Sequence, residues 1–167
     1  LFANTKGVPQ DVADAWGQLS GRESEPGARI IDIGCGCART ARTFRHHPWI
    51  EDYVGLDVVL PYIEWNRRYI APLARGRFRF AHLDVHTPRY NPAGAMPAEQ
   101  ARFPLADGVA NFAFAASLFT HLREEAAQRY LDEAARGVAI DGKLVASIHD
   151  RPASGTAFSG DEFRADV

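Results

Sequence analysis

The chain has 167 residues, with 19 Lys+Arg against 21 Asp+Glu and a formal net charge of -2. The length bounds the reading at one domain, and the charge balance excludes attachment to nucleic acid through a broad basic field. At 46% hydrophobic and 24% charged residues the composition is too apolar for a disordered segment.

The longest mostly apolar stretch, residues 109–119, spans 11 residues, where a membrane-spanning helix needs roughly 20. No basic start, apolar core and small-residue cleavage site opens the sequence, so no secretory leader is read. Cys35 and Cys37 sit one residue apart, a spacing that rarely bridges, and no other cysteine is available. A reducing, cytoplasmic setting is the expectation. No metal site is expected, because neither thiols nor imidazoles recur at zinc-like spacing.

In chain order, residues 11–19 read as a helix. Residues 29–33 form a short β-branched run, as expected of a central strand covered on both faces. Gly34 to Gly36 turn, and residues 38–46 read as a helix ended by Pro48. Residues 52–57 are the second strand. Pro61 suits the first turn of the next helix, whose expected apolar stripe is Tyr62, Ile63, Tyr69, Ile70 and Leu73. Residues 77–83 are the third strand. Residues 86–104 are rich in turn formers, a connection of a length usually functional or mobile. Residues 109–115 are the fourth strand, 123–137 a helix with acids near its start. Asp141-Gly142 then turns into a fifth strand at 143–148. Strands alternating with helices indicate βαβ units and a parallel sheet.

Asp32-Ile-Gly-Cys-Gly-Cys-Ala38 falls where a strand meets a helix, the place where ligands bind in open α/β sheets. Glycines there admit a ligand close to the backbone. Three readings compete. A dinucleotide site would follow G-x-G-x-x-G with an acid about 20 residues on; Asp57 fits, but Arg39 occupies the third glycine position and crowds a pyrophosphate. An S-adenosylmethionine site fits better, because that ligand has no pyrophosphate and its cationic amino group and sulfonium suit Asp32. A tight turn that binds nothing is the third.

The sequence resembles the class I S-adenosylmethionine-dependent methyltransferases of the small-molecule type, from Arg29 to Ser147, or 119 of 167 residues. Asp32-Ile-Gly-Cys-Gly36 resembles the family's first motif, and Tyr53-Val-Gly-Leu-Asp57 the second-strand motif. Leu83-Asp84-Val85 resembles the adenine-contacting motif, Ala115-Ala-Ser-Leu-Phe-Thr-His121 the segment after the fourth strand, and Tyr130-Leu-Asp-Glu-Ala-Ala-Arg136 the helix before the fifth. A subgroup is closer still on Tyr90-Asn-Pro-Ala-Gly94 and Phe119-Thr-His-Leu122.

The resemblance implies a doubly wound, Rossmann-like fold with a mostly parallel sheet of order 3-2-1-4-5, with S-adenosylmethionine as the cofactor and S-adenosylhomocysteine its product. It assigns Asp57 and Val58 to the ribose side, Asp84 and Val85 to adenine, Gly34, Cys35 and Gly36 to the turn, and Asp32 to the methionine end. Ser117 and Phe119 fall near the sulfur. The implied reaction is methyl transfer to a small hydroxyl- or amine-bearing acceptor, such as a sugar or a natural-product intermediate. Neither nucleic acid nor membrane is expected as a partner. Since the sulfonium is already an activated leaving group, positioning matters most, and His121 is the candidate base for an acceptor proton. His149, Asp150, His86 and Tyr90 are further candidates for the cleft.

Departures from the family pattern are Ala38 at a third glycine, Asn111 at a frequent aspartate, and Ala139-Ile-Asp-Gly-Lys143 in place of a Lys-Pro-Gly-Gly turn. Residues 1–167 are expected to be a single cofactor-binding domain lacking the C-terminal helix and hairpin strands. Two other readings remain: a non-catalytic cofactor-binding module and a nicotinamide-dependent oxidoreductase.

Overall fold

The computed structural model describes residues 27–147. The helix read at 11–19, the strand end at Ile148, and His149 and Asp150 lie outside the described residues. Five strands form one sheet: β1 (Ala28–Ile33), β2 (Ile50–Asp57), β3 (Phe78–His82), β4 (Ala110–Ala115) and β5 (Val138–Ala146). Their order is β3-β2-β1-β4-β5 with every neighbouring pair parallel. Three α-helices connect them: α1 (Arg39–Phe44), α2 (Leu60–Tyr69) and α3 (Glu124–Gly137). Among the described residues no helix is long and apolar enough to cross a membrane.

Alternate residues of a strand face opposite sides of the sheet. On β1, Ala28 and Ile30 enter one core with Tyr53, Phe78, Phe112 and Phe44. Ile31 and Ile33 enter the other with Val54, Leu56, Tyr130 and Ala134. Both faces are covered, which is why the strand reads as an unbroken apolar run.

Three expectations need correction. First, α1 stops at Phe44 rather than His46: the His46 and His47 amides donate to Thr43 and Phe44, three residues back, and tighten the chain out of the helix. Second, the stripe on α2 is narrower than expected. Ile63 and Ile70 are buried, but Tyr62, Tyr69 and Leu73 are 45%, 49% and 58% exposed, and the core-facing place between the two isoleucines belongs to Asn66. At about 100° per residue, positions 62 and 69 turn off the row that faces the sheet, and Leu73 lies past the end of α2 in a 3-10 turn, Ala71–Ala74.

Third, β5 begins at Val138, directly after α3, instead of at 143. Its register against β4 jumps from Ala110↔Val138 to Phe112↔Lys143. Residues 139–142 fill that bulge, with Ile140 fully in solvent. Gly142 is required there, since a Cβ would lie 2.2 Å from Val138 Cγ1. Asn111, the departure on β4, joins two strands: its Oδ1 accepts the Arg29 amide at 2.8 Å and its Nδ2 donates to Gly27 O at 2.7 Å.

The connection 86–104 is ordered by α3. Glu133, 2% exposed, accepts the Phe103 amide at 2.8 Å and pairs with Arg136 at 2.7 Å and Arg129 at 3.0 Å. Arg136 also donates to the Phe103 and Leu105 carbonyls, and Arg129 to Ala101 O. Burial pushes the Glu133 carboxyl up, but the Arg136 hydrogen bond, the Phe103 amide and the two guanidinium charges hold it below its ordinary 4.5. Its stabilising contribution is therefore intact above pH 4.5 and fades as pH falls through the lower native value. Glu133→Ala removes the anion these two guanidinium groups share, leaving Arg136 with the exposed Asp107 at 2.6 Å and Arg129 with Ala101 O. It should lower unfolding free energy by about 1–3 kcal/mol, read by urea denaturation at neutral pH; a change within error would deny this network its anchoring role.

Candidate active site

The turn after β1 is built from left-handed backbone. Gly34, Gly36 and Ala38 have φ of 82°, 52° and 57°. A Cβ on Gly36 would meet nothing within 4 Å, so this glycine serves conformation, and its side stays open. Ala38 adopts the same region with a Cβ, a conformation that costs a non-glycine residue about 1–2 kcal/mol, which is the physical content of its departure from glycine. The Gly34 and Cys35 amides both donate to Leu56 O, at 2.8 and 2.9 Å. Cys35 is buried and lies over Gly55, where a Cβ would come within 2.9 Å of its Sγ and 2.7 Å of Phe80. The glycine in Tyr53-Val-Gly-Leu-Asp57 thus makes room for the turn's own cysteine.

Asp57, at the tip of β2, fastens that turn. Its Oδ2 accepts the Gly36 amide at 2.7 Å and its Oδ1 the Val59 amide at 2.8 Å. A carboxylate has about four acceptor sites, so each oxygen keeps a second lone pair for a ligand hydroxyl. Burial raises the Asp57 carboxyl above its ordinary 3.8, while the amides of Val59, Gly36 and Val58 and the nearby His82 draw it back. Asp32 lies beneath the turn, 2% exposed, and accepts from the Tyr53 hydroxyl. Burial pushes it up to about 7, with the Tyr53 bond lowering it and Asp57 raising it further.

Opposite the turn, a cleft of about 270 Å³ opens at the carboxyl ends of the strands. Gly34, Gly36, Asp57 and Val58 line it from the ends of β1 and β2, Ser117, Leu118 and His121 from the segment after β4, and Tyr62, Tyr90 and Tyr130 line it as well. Ser117 has φ 61° and donates its amide to Ser147 Oγ at 2.6 Å. Left-handed Ala38 and Ser117 are strained positions of the kind that collect at sites. A short 3-10 turn, Phe119–His121, carries His121 to the mouth. There its ring meets Tyr90 edge-on, with centroids 6.0 Å apart.

The segment Tyr90–Gly94 is folded against the end of β3. Thr87 and Asn91 exchange backbone hydrogen bonds at 3.1 Å, and Asn91 Nδ2 donates to Val85 O at 3.1 Å. A Cβ on Gly94 would lie 2.4 Å from the Val85 carbonyl carbon, so only glycine allows this approach. Asp84 Oδ1 accepts from the Ala95 amide and Asn91 Nδ2 at 3.3 and 3.4 Å, and the Val85 amide donates to Leu83 O at 2.8 Å. His86 Nδ1 lies 3.2 Å from Pro92 O and helps pack the same loop.

Of the residues singled out in the sequence, Gly34, Gly36, Asp57, Val58, Tyr90, Ser117 and His121 share this cleft. Asp32 and Cys35 lie beneath it, while Asp84, Val85 and Phe119 stand outside its wall. Three participants were missed. Tyr62 was read into the apolar stripe of α2, yet it lines the cleft. Tyr130 was read as core and is buried, yet its side lines the cleft. Asn66 was hidden in an apolar-looking helix; its one sequence signal is a polar residue in register with Ile63 and Ile70. Among the described residues no cluster of His, Cys, Asp or Glu is placed to hold a metal ion.

No protein-family model matches the chain. Solved structures share its fold at low identity. Geranyl diphosphate C-methyltransferase from Streptomyces coelicolor A3(2), solved with Mg2+, geranyl diphosphate and S-adenosyl-L-homocysteine, is 14% identical with a TM-score of 0.59, over 84% of this chain and 44% of that one. A TehB-like SAM-dependent methyltransferase from Corynebacterium glutamicum is 16% identical, TM-score 0.54, over 84% of this chain and 73% of that one. The [4+2]-cyclase SpnF is 19% identical, TM-score 0.57, over 84% and 44%. The fold is that of the class I S-adenosylmethionine-dependent methyltransferases. The chain spans about half the length of several structures it matches.

The buried Asp32 gives the first test of this site. Its native value, about 7, exceeds 3.8, so the stability it lends is complete below the lower figure and lost as pH rises to the upper one. Asp32→Asn keeps an acceptor for Tyr53 and cannot ionise. Its melting temperature should gain on the parent chain as pH rises from 4 toward 7 and run parallel above; a pH-independent offset would show that Asp32 stays ionised.

Proposed function

We propose that the cleft binds S-adenosylmethionine and that the protein transfers its methyl group to a small hydroxyl- or amine-bearing acceptor. The observation that carries the reading is Asp57: a carboxylate at the tip of β2, bonded to Gly36 of the glycine turn, facing an open cleft in this fold. In this reading Asp57 takes the ribose hydroxyls on its remaining lone pairs and Val58 lies beside them. Gly34, Cys35 and Gly36 give the ligand close access to backbone. Asp84 and Val85 lie toward the adenine, Ser117 and Phe119 toward the sulfur. Asp32 acts on the cationic methionine end through the field beneath the turn. The cofactor supplies an electrophilic methyl group on a sulfonium. His121 accepts the acceptor's proton, and Tyr90 and Tyr62 form the acceptor wall.

Neighbours support a small acceptor: one is named for geranyl diphosphate, and another, from Haemonchus contortus, for phosphoethanolamine. A second reading, a cofactor-binding domain without methyl transfer, is favoured by one observation, the [4+2]-cyclase among the neighbours. Titration with S-adenosylhomocysteine and with NAD, followed by transfer of labelled methyl to an acceptor panel, separates these readings. NAD binding without S-adenosylhomocysteine binding would replace the proposal with an oxidoreductase. Cofactor binding without transfer would favour the second reading.

Asp57→Ala should weaken S-adenosylhomocysteine binding by about 1–3 kcal/mol, as for hydroxyls deprived of a charged acceptor; calorimetry showing unchanged affinity would contradict the ribose role. His121→Ala should slow methyl transfer by about 100-fold or more while leaving cofactor affinity in place. A matching loss of affinity would move His121 from proton transfer to cofactor binding.

A further inference from the structure

Asn66 is a buried polar residue whose chemistry neither the cores nor the proposed cofactor contacts use. It sits in α2 between Ile63 and Ile70, fully buried, on the row that faces the sheet. A leucine would pack there without a polar atom to satisfy, and asparagine is a poor helix former. Its Nδ2 donates to Gly36 O at 2.8 Å and lies 3.8 Å from the Cys35 Sγ. Its Oδ1 is the only buried side-chain nitrogen or oxygen among the described residues with no hydrogen-bond partner. Natural folds leave few such atoms, and each asks for a reason.

The reason lies in Gly36. Its amide donates to Asp57 Oδ2 and its carbonyl accepts from Asn66 Nδ2. The two peptide planes flanking this glycine are thus fixed from β2 and from α2. Its own φ of 52° and the open space beside it supply no steric restraint. We propose that Asn66 is a positioning residue: it holds the Gly36 carbonyl down so that the turn presents a fixed floor to the ligand, and cofactor affinity depends on that bond. The proposal rests on the cofactor reading above for its ligand and on the Gly36 contacts for its mechanism.

Asn66→Leu tests it, with Asn66→Ala as the smaller variant should leucine not fit. Removing the amide also removes the unsatisfied Oδ1, so the leucine variant should melt at or above the parent temperature. Two readouts separate positioning from packing. Amide hydrogen exchange without any ligand should quicken across residues 34–38 and not in β4 or α3. Affinity for S-adenosylhomocysteine should weaken by about tenfold, the equivalent of one lost hydrogen bond. Unchanged exchange at the turn overturns the positioning role whether or not the cofactor binds. Faster exchange with unchanged affinity overturns the link to the ligand. Failure of the parent chain to bind S-adenosylhomocysteine sinks the cofactor reading and this link with it.

Discussion

The hydrogen bond from the Gly36 amide to Asp57 ties the loop after β1 to the tip of β2. Around it, the Gly34 and Cys35 amides are committed to Leu56 O, so the β1 turn lies flat against its neighbour and the cleft opens above it. The bond depends on backbone and side chain together. Gly36 must reach a left-handed conformation, and Gly55 must leave room for Cys35. Asp57 must be held by Val59 so that its other oxygen points back. One carboxylate therefore shapes the floor and carries the polar atoms offered to a ligand, and structure and recognition cannot be separated at this position by truncation alone.

The opposite wall is secured differently. The connection after β3 contains little regular structure, yet it is held through Glu133, Arg136 and Arg129 of α3 on one side and Asp84, Asn91 and Gly94 on the other. Tyr90 is thereby brought against His121, and two residues 31 positions apart in the chain meet at one rim. Arg136 and Glu133 belong to the segment Tyr130–Arg136, which in the sequence says only that a helix precedes a strand. Their work is to fasten a loop that arrives from the edge strand β3 across the same face of the sheet.

The positions of β1 to β4 and the glycine turn were legible because each rests on local pattern: β-branched runs ending in aspartate, glycine after the first of them, proline at a helix start; strand order is not a local property and came with the family resemblance. The start of β5 was not, because Asp141-Gly142 has the chemistry of a turn and is absorbed into a bulge whose register depends on β4. Tyr62, Tyr69 and Leu73 were misplaced because an apolar residue on a helix does not declare which face meets the sheet; the polar Asn66 marks that face better. At the site, the place of Asp57 in the cleft could be read from the sequence because it follows from its position at the tip of β2. Tyr130 and Asn66 enter through tertiary approach, which spacing does not encode.

Burial and the nearby Asp57 both raise the Asp32 carboxyl. The arrangement would be wasteful beneath a turn that binds nothing: position 32 could be apolar, as Ile30 is on the same face of β1, with phenylalanine in place of Tyr53, whose buried hydroxyl needs an acceptor. A region biased toward negative charge instead favours a cation above it. Under the proposed reading, a positively charged methionine end makes ionisation of Asp32 easier, and by reciprocity an ionised Asp32 makes that end bind more tightly. The same field opposes a pyrophosphate, whose charge has the wrong sign for the two acids beneath Gly34 and Gly36. Electrostatics below the turn thus argue for a cationic nucleoside over a dinucleotide.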